Sequence, residues 1–254
     1  MLKVKNLKAS VSDDSEKKMD ILRGIDFDVK AGEFHLILGV NGSGKSTFGK
    51  VLLGSSQYKQ TSGSIEFFGE EISEKPTFER AQMGLFLSHQ SPPALEGISA
   101  KEILRAADKQ SEDKRTLFRF KKALKESLDA SGLSHDFIER DLNVGASGGE
   151  RKKMEIASLL TLGARLAFLD EIDSGLDVDA LRMVSEGVNK FFENKENAVI
   201  LVSHSETILK YVSPTHVHVF CGGKIVASGG MEIAEKIHKD GYASVQDCKN
   251  CISQ

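Results

Sequence analysis

Residues 39–47 read GVNGSGKST, and this stretch decides the fold. Gly39 to Ser46 match the phosphate-loop pattern G-x-x-x-x-G-K-[ST]. The glycines let the loop curl so that amide N–H groups point at phosphate oxygens, and a helix that starts there adds its positive end. We expect Lys45 to neutralise the β- and γ-phosphates of a nucleotide and Ser46 to ligate Mg²⁺. The residues expected to contact the nucleotide are Gly39, Asn41, Gly42, Ser43, Gly44, Lys45, Ser46 and Thr47.

Strand and helix patterns alternate around this loop. Residues 34–38 (FHLIL) predict a buried strand that runs into the loop, and the helix after it is expected to end at Gly54. Residues 2–8 alternate apolar and polar side chains, as an edge strand does. Further strands are predicted at 25–29, 64–68, 84–88, 166–169, 198–202 and 216–220.

A helical block interrupts these strands between about residues 99 and 162. Ser99 and Glu102 form a capping-box pattern at its start. An apolar stripe at helical spacing, which predicts core contacts, is made by Leu117, Phe120, Leu124 and Leu128. Strands and helices on either side of a helical block indicate one α/β core with an α-helical subdomain inserted.

A second group of candidate residues follows the strand predicted at 166–169. The apolar run LAFL ends in Asp170 and Glu171. Open α/β sheets bind ligands at the carboxyl ends of their strands, so Asp170 is expected in the shell of the Mg²⁺ ion. Glu171 would face the terminal phosphate and act as the general base that activates the attacking water.

Ser147-Gly148-Gly149-Glu150 opens another predicted helix. Small residues at a helix start form an anion site, although the same residues also suit an ordinary N-cap with a glycine turn. One phosphate loop already holds the phosphates. A second phosphate-binding helix end in the same chain would therefore have to serve a different purpose from the first.

The composition argues against several classes of protein. A net charge of -3 gives no basic field for nucleic acid, and no apolar run reaches the roughly 18 residues of a membrane span. The first ten residues lack the apolar core of a signal peptide, so any link to a membrane is expected to run through another protein. Three cysteines fit a reducing compartment. Cys248 and Cys251 could ligate metal or cycle redox, but a zinc site needs about four ligands, so two thiols on a polar tail are favoured.

Taken in order along the chain, these motifs resemble those of ABC ATPases over nearly its whole length. The resemblance is carried by 39–46, Gln90, the signature 146–150 (ASGGE), 166–171, the D-loop 174–177 (SGLD) and His204. It implies a single domain over 1–254, with an α/β core at about 1–90 and 163–254, a helical subdomain at about 91–162 and an antiparallel β edge.

The same resemblance implies an activity and a set of roles. The activity is hydrolysis of ATP with Mg²⁺, in which Gln90 contacts the metal and the lytic water and His204 contacts the γ-phosphate. In such enzymes the signature of one subunit covers the ATP held by the phosphate loop of another. We therefore expect a head-to-tail dimer that forms on ATP. The signature residues expected to contact the partner's nucleotide are Ser147, Gly148, Gly149 and Glu150.

A narrower resemblance is to the SufC family, the ATPases of the SUF iron–sulfur cluster assembly machinery. It implies scaffold partners similar to SufB and SufD and a location in the cytoplasm or in an organelle stroma or matrix. Transporter ATPases more often read Asp-Glu-Pro-x-x-Ala-Leu-Asp where this chain has DEIDSGLD. The segments that carry the likeness are 84–87 (GLFL), 170–177 (DEIDSGLD), 222–226 (GGKIV), 228–230 (SGG) and Gly241-Tyr242.

Two other functions remain open from the sequence. One is the nucleotide-binding subunit of a membrane transporter. The other is a non-catalytic scaffold, against which Lys45, Asp170, Glu171 and His204 argue together. Residues 10–20 contain no aromatic side chain to stack on adenine, so the base is expected to rest on aliphatic groups such as Val11.

The segment from Gln90 to Gly97 is expected to face the partner. It contains Ser91-Pro92-Pro93, which departs from the SufC pattern, and Leu95. Exposed prolines and a leucine next to the γ-phosphate sensor would make a docking lip.

Overall fold

The structure is a computed structural model that describes residues 1–12, 18–88, 90, 92–110 and 115–245. Among these residues no helix is both long enough and apolar enough to cross a membrane. In chain order the strands and helices are β1 (Leu2–Ser12), β2 (Lys18–Val29), β3 (Phe34–Gly39), α1 (Lys45–Leu52), β4 (Lys59–Phe67), β5 (Glu70–Glu71), α2 (Thr77–Gln82), β6 (Leu85–Leu87), α3 (Ala100–Gln110), α4 (Leu117–Ser131), α5 (Gly148–Leu162), β7 (Leu166–Asp170), α6 (Val178–Phe192), β8 (Ala198–Val202), β9 (His216–Cys221), β10 (Lys224–Gly229) and α7 (Met231–Asp240).

The central sheet has six strands in the order β10-β9-β3-β8-β7-β6, and all but β10 run parallel. Strands β3, β7 and β8 are buried along their whole length, as their apolar runs predict for strands covered on both faces. Parallel strands present their carboxyl ends at one edge of the sheet. The loop after β3, Asp170 at the end of β7 and Ser203 after β8 therefore lie at the same edge.

The antiparallel β edge that was predicted is a separate four-stranded antiparallel sheet. Its order is β2-β1-β4-β5, so β1 pairs with a strand on each side. The prediction that residues 2–8 form an edge strand was wrong. Alternating side chains show only that one face of a strand is buried, and they say nothing about how many neighbours its backbone has.

Helix α1 lies between the two sheets. The ring of Phe48 contacts Phe27 of β2, Phe168 of β7 and Phe220 of β9, with centroid separations of 5.3, 6.1 and 5.6 Å. Gly49 lets the helix approach β7 closely, because a Cβ there would lie 2.5 Å from the Phe168 ring. The helix ends at Leu52, close to the predicted stop, and Gly54 has φ 77°.

The helical block has a core of its own. Phe120, Leu124 and Leu128 of α4 are buried against α3 and α5, as the apolar stripe predicts, but Leu117 is 54% exposed because it opens the helix. Ser99 caps α3 with both bonds of the predicted capping box to Glu102. Gly132, with φ 63°, ends α4 in the left-handed conformation.

Helix α2 and the side chain of Arg80 on it were not predicted. Arg80 is buried, and its guanidinium donates to the carbonyls of Val51 and Leu52 at the end of α1 and to those of Ser73 and Lys75. A buried guanidinium thus satisfies carbonyls that the end of a helix leaves without partners. It joins α1 to the segment that leads into β6.

The cysteines divide between described and undescribed parts of the chain. Cys248 and Cys251 lie outside the described residues, so the interpretation of that motif stays a prediction. Cys221, the last residue of β9, takes part in a disulfide bond.

Candidate functional site

The phosphate loop joins the end of β3 to the start of α1. Gly42 and Gly44 have φ values of 77° and 103°, which favour glycine, and a Cβ on Gly39 would lie 2.4 Å from the carbonyl oxygen of Phe220. The buried Lys45 ammonium donates to the carbonyls of Gly39 at 2.7 Å and Val40 at 3.0 Å. Its cation thus lies against the loop, where a phosphate oxygen could replace those carbonyls as its partner.

The charge of Lys45 is balanced by two carboxylates. Burial lowers the pKa of Lys45, and the negative charges of Glu171 and Asp170 oppose that shift. The buried hydroxyl of Ser43 lacks a hydrogen-bond partner among the described residues. Buried polar atoms are normally hydrogen-bonded, so this hydroxyl fits a loop that is completed by a ligand.

Asp170 ends β7 beside the loop and is buried. Its backbone N–H donates to Ser88 Oγ at 2.8 Å, while its Oδ1 has no hydrogen-bond partner among the described residues. Burial raises the pKa of Asp170, and the nearby hydroxyl of Ser46 acts in the opposite direction. An unpartnered carboxylate oxygen next to a serine hydroxyl fits Mg²⁺, which prefers hard oxygen ligands.

Three predicted catalytic residues come together next to Asp170. The Gln90 amide donates to Glu171 Oε2 at 2.9 Å, and His204 Nε2 lies 3.8 Å from Glu171 Oε1. Glu171 has φ 49°, in the left-handed region that a non-glycine residue enters at a cost of about 1–3 kcal/mol. Strain of this kind collects at functional sites, where the surrounding structure holds a side chain in one direction.

An open cavity of about 610 Å³ lies in front of these groups. Asn41 of the phosphate loop, Glu171 and His204 are among its lining residues. Thr47 lies one residue beyond Ser46 in the first turn of α1. The phosphate loop, the acidic strand end and the histidine therefore surround one space.

The signature residues lie at the start of α5. Ser147 is the N-cap, and its side chain and that of Glu150 form both bonds of a capping box. Hydrogen bonds from the backbone and hydroxyl of Ser147 lower the pKa of Glu150. Helix α5 packs against α3, α4 and α6, whereas α1 packs against β2, β3, β4 and β7. The two candidate anion sites thus belong to different parts of the fold.

The start of α5 packs closely against the start of α6, and residues next to both helix starts are exposed. A Cβ on Gly149 would contact Ala180 of α6 at 3.4 Å. Next to these helix starts, Val144 is 39% exposed and Val178 is 65% exposed.

A family model described as ABC transporter matches residues 22–174, which is more than half of the chain. The chain belongs to the ABC transporter family. It is an ATP-binding ABC ATPase.

Relatives of this ABC ATPase can be aligned with it over most of their length. It is 43% identical over 247 residues to the probable ATP-dependent transporter slr0075 of Synechocystis sp., covering 95% of this chain and 94% of that protein. It is 40% identical to the chloroplastic ABC transporter I family member 6 of Arabidopsis thaliana, covering 96% of this chain and 73% of that one.

Solved structures show the same fold. The dimeric, ADP- and Pi-bound ATP-binding cassette MJ0796 superposes with a TM-score of 0.78 at 19% identity, covering 91% of this chain and 99% of that one. A nucleotide-free cassette from an ABC transporter gives 0.75 at 23% identity, covering 94% and 95%. At these identities the likeness speaks for the fold alone.

Tyr242 is a residue of the ABC ATPase site that motif reasoning missed. Its hydroxyl accepts from the Gly39 N–H at 3.1 Å and lies 3.3 Å from Nδ1 of His204. The hydroxyl proton is then available to Nδ1, which leaves Nε2 of His204 to donate toward Glu171. Burial and the Lys45 cation lower the pKa of His204, which favours this neutral ring. The only signal in the sequence was Gly241-Tyr242 in the narrower family resemblance.

Proposed function

We propose that this ABC ATPase is a SufC-like subunit, which binds and hydrolyses ATP to change the conformation of a SufB- and SufD-like scaffold during iron–sulfur cluster assembly. The observation that carries the proposal is where the SufC-like residues lie. Asp173, which directly precedes the D-loop, accepts from Ser203 Oγ at 2.7 Å, and Tyr242 bridges Gly39 and His204. Two segments of the narrower resemblance, 170–177 and Gly241-Tyr242, thus contribute residues to the cavity where the γ-phosphate would bind.

In the proposed reaction, water attacks the γ-phosphorus. The bond from that phosphorus to the bridging oxygen breaks, and ADP leaves with the bridging oxygen. Glu171 accepts the proton of the attacking water, and the Gln90 amide that donates to Glu171 holds this carboxylate in place. Lys45 leaves the loop carbonyls to bind phosphate oxygens, and the Nε2–H of His204 donates to the γ-phosphate.

The metal would be held by three of these residues. Ser46 and Asp170 offer oxygens directly, and the oxygen of the Gln90 side chain stays available because its nitrogen donates to Glu171. Mg²⁺ at this position would neutralise charge on the β- and γ-phosphates. The phosphates themselves would be held by the loop backbone and by Ser43.

We further propose that the working unit is a head-to-tail dimer. The signature on α5 and the loop before α1 pack on different parts of the fold, so one chain supplies half of each of two equivalent sites under two-fold symmetry. Ser147 and the amides of Gly148 and Gly149 would bind the γ-phosphate held by the other copy. The MJ0796 cassette, whose fold this chain shares, is itself dimeric.

ATP would act by favouring the closed pair over the open one. A ligand shifts such an equilibrium only through its different affinity for the two states, and here the γ-phosphate supplies that difference. Hydrolysis removes it, so the pair opens. A scaffold that holds two copies close together would raise their effective concentration and assist closure.

The segment after Gln90 is the proposed contact with the scaffold. Leu95 is 41% exposed, while its N–H donates to the carbonyl of Leu142 at 2.9 Å. Of the two prolines expected to be exposed, Pro93 is exposed but Pro92 is buried. Asn143 donates to the carbonyl of Pro93 at 2.9 Å. The docking segment is thus hydrogen-bonded to the chain just before the signature. We propose that residues 91–162 respond together to the partner, and that the α/β core at 1–90 and 163–254 holds the nucleotide.

The alternative is a nucleotide-binding subunit of a membrane transporter. It is favoured by the printed names of relatives, such as the probable ATP-dependent transporter of Synechocystis sp.. The two functions differ in the class of partner, a scaffold without membrane spans or a membrane protein. The proposed location is the cytoplasm or an organelle stroma.

Purification of the tagged chain from its native extract, with mass spectrometry of the bound chains, tests the assignment. We expect two scaffold subunits that carry iron–sulfur clusters after anaerobic reconstitution, and ATPase activity that rises when they are added back. Recovery of a polytopic membrane protein in stoichiometric amount would instead establish the transporter function.

A further inference from the structure

A cluster of histidines and one glutamate lies at the end of the central sheet away from the nucleotide. Glu33 precedes β3, His35 is its second residue, and His216 opens the neighbouring parallel strand β9. The register pairs His35 with His216. From His35 to Gly39 the strand rises by ~13 Å, at ~3.3 Å per residue, so the cluster is well separated from the phosphate loop.

The three side chains bring potential metal ligands close together. One ligand atom from each of Glu33, His35 and His216 lies within 4.8 Å of the other two. His35 Nε2 is 3.1 Å from Glu33 Oε2, and the rings of His35 and His216 stack with centroids 4.6 Å apart. Among the described residues this is the one group of three such side chains with converging ligand atoms.

Each of the three groups is oriented by an outer partner. The backbone N–H of Lys30 donates to Glu33 Oε2 at 2.7 Å. Nδ1 of His216 lies 2.9 Å from Thr215 Oγ1, so Thr215 engages Nδ1 and not Nε2 of that ring. Metal-binding side chains in proteins are held by such outer hydrogen bonds, which fix the orientation and tautomer of the ring.

His35 has the longest of these outer chains. Its Nδ1 lies 2.9 Å from His218 Nε2, and His218 Nδ1 lies 2.8 Å from Ser228 Oγ. Burial lowers the pKa of both rings, that of His218 to about 3. Without metal, the Nε2–H of His35 donates to Glu33; a bound ion would take the lone pair of Nε2 instead, with the ring proton on Nδ1, which faces His218 Nε2.

We propose that Glu33, His35 and His216 bind a divalent transition-metal ion of the zinc type, through one carboxylate and two imidazoles. Two imidazoles exclude Mg²⁺ and Ca²⁺, which take oxygen ligands. Ligand atoms ~2.1 Å from a tetrahedral Zn²⁺ lie roughly 3.4 Å apart, so the Glu33–His35 pair already has metal-like spacing and His216 has only to tilt. Glu33 and His216 are half-buried, so solvent reaches two of the three groups and water could supply the fourth ligand.

The other role open to these residues is a purely structural one, with a Glu33–His35 hydrogen bond and stacked rings. The two roles differ in what happens when Zn²⁺ is added. A structural cluster binds no ion. A metal site binds Zn²⁺, and its affinity for Zn²⁺ falls when either the carboxylate or an imidazole is removed.

Calorimetric titration of the full chain with Zn²⁺, without nucleotide, tests the proposal. We expect one site whose affinity falls at least about tenfold in Glu33→Gln and in His216→Gln. His238→Gln is the matched control, since His238 faces Glu206 at 3.4 Å outside the cluster, and it should bind as the parent chain does. His216→Gln should keep its ATPase rate with saturating Mg·ATP, which shows that it is folded.

Three results would overturn the proposal. The first is no saturable Zn²⁺ binding by the parent chain. The second is unchanged affinity in both cluster variants. The third is loss of the site in Cys248→Ser/Cys251→Ser while Glu33→Gln and His216→Gln keep it, which would assign the ion to those cysteines. Co²⁺ absorption supplies a second readout, because imidazole and carboxylate ligands lack the thiolate charge-transfer band.

Discussion

Glu171 is the residue on which the proposed hydrolysis depends. It is placed by its left-handed backbone and by the Gln90 amide, with His204 on the other side. Gln90 and His204 both lie far from Glu171 in the chain. The carboxylate therefore depends on the folded sheet edge for its direction as well as on its own sequence position.

Replacing Glu171 by Gln tests its role as general base. The amide keeps the shape of the side chain but cannot accept a proton, so ATP binding should persist while turnover falls by roughly 10²- to 10⁴-fold. Steady-state phosphate release and calorimetric ATP titration measure the two properties. Glu186→Gln, at an exposed position of α6 paired only with Arg182, is the control and should keep the parent rate. A Glu171→Gln protein with the parent rate would contradict the assignment.

At the scale of elements, α1 is held between two sheets by a close glycine contact. A methyl group at an open helix glycine usually stabilises by about 1 kcal/mol. At Gly49 it would meet the Phe168 ring at 2.5 Å, so Gly49→Ala should instead lower the free energy of unfolding by about 1–3 kcal/mol. Urea unfolding followed by circular dichroism measures this.

The control for that substitution is a second change on the opposing strand. Phe168→Leu removes part of the ring that the new methyl meets, so the double variant should be more stable than the sum of the two single effects predicts. Strict additivity would mean that the helix does not rest on Phe168. A stabilised Gly49→Ala would contradict the close packing directly.

The elements that sequence could predict are those whose signal is local. The runs FHLIL, LAFL and AVILV are apolar because both faces of their strands are covered, and functional residues follow them at the strand ends. The capping boxes at Ser99 and Ser147 are also local, and both are present. The edge assignment of β1 failed because strand pairing is decided by distant residues.

The missed residues share this non-local origin. Arg80 binds carbonyls at the end of α1, 28 and 29 residues away. Tyr242 meets Gly39 across 203 residues, and no spacing rule joins them. The histidines at 35 and 216 become neighbours only because β3 and β9 pair. Motif order could predict which residues form the nucleotide site, but not what surrounds them.

At the scale of the whole molecule, the docking segment and the signature are mechanically joined. Leu95 and Pro93 are hydrogen-bonded to Leu142 and Asn143, four to five residues before Ser147. A partner that moves the docking segment would therefore move the start of α5. In the proposed complex, this link would give the scaffold a route to the start of α5.

A charge on Leu95 tests this surface. Leu95→Glu should weaken binding to the scaffold at least about tenfold, because a carboxylate would have to be desolvated at an apolar contact. ATP affinity should stay unchanged. Leu117→Glu is the matched control, since Leu117 is similarly exposed but opens α4. Equal loss of partner binding in both variants, or loss of ATP affinity with Leu95→Glu, would contradict the docking assignment.

The central claim is that each ATP site is shared between two copies. Lys45→Ala removes the cation of one half-site, and Ser147→Arg blocks the other half, so each variant alone should be nearly inactive. A mixed dimer has one doubly damaged site and one intact site. Random pairing of equal amounts makes half of the dimers mixed, so independent sites would restore about a quarter of the parent rate.

Mixing the two variants at high concentration or with the scaffold, and measuring phosphate release, is therefore the most direct test. Mass spectrometry of the native complex counts the mixed dimers in the same sample. The account predicts activity well above the sum of the two variants alone, rising with the mixed fraction. Abundant mixed dimers without any gain in phosphate release would contradict a shared site whose two halves act independently.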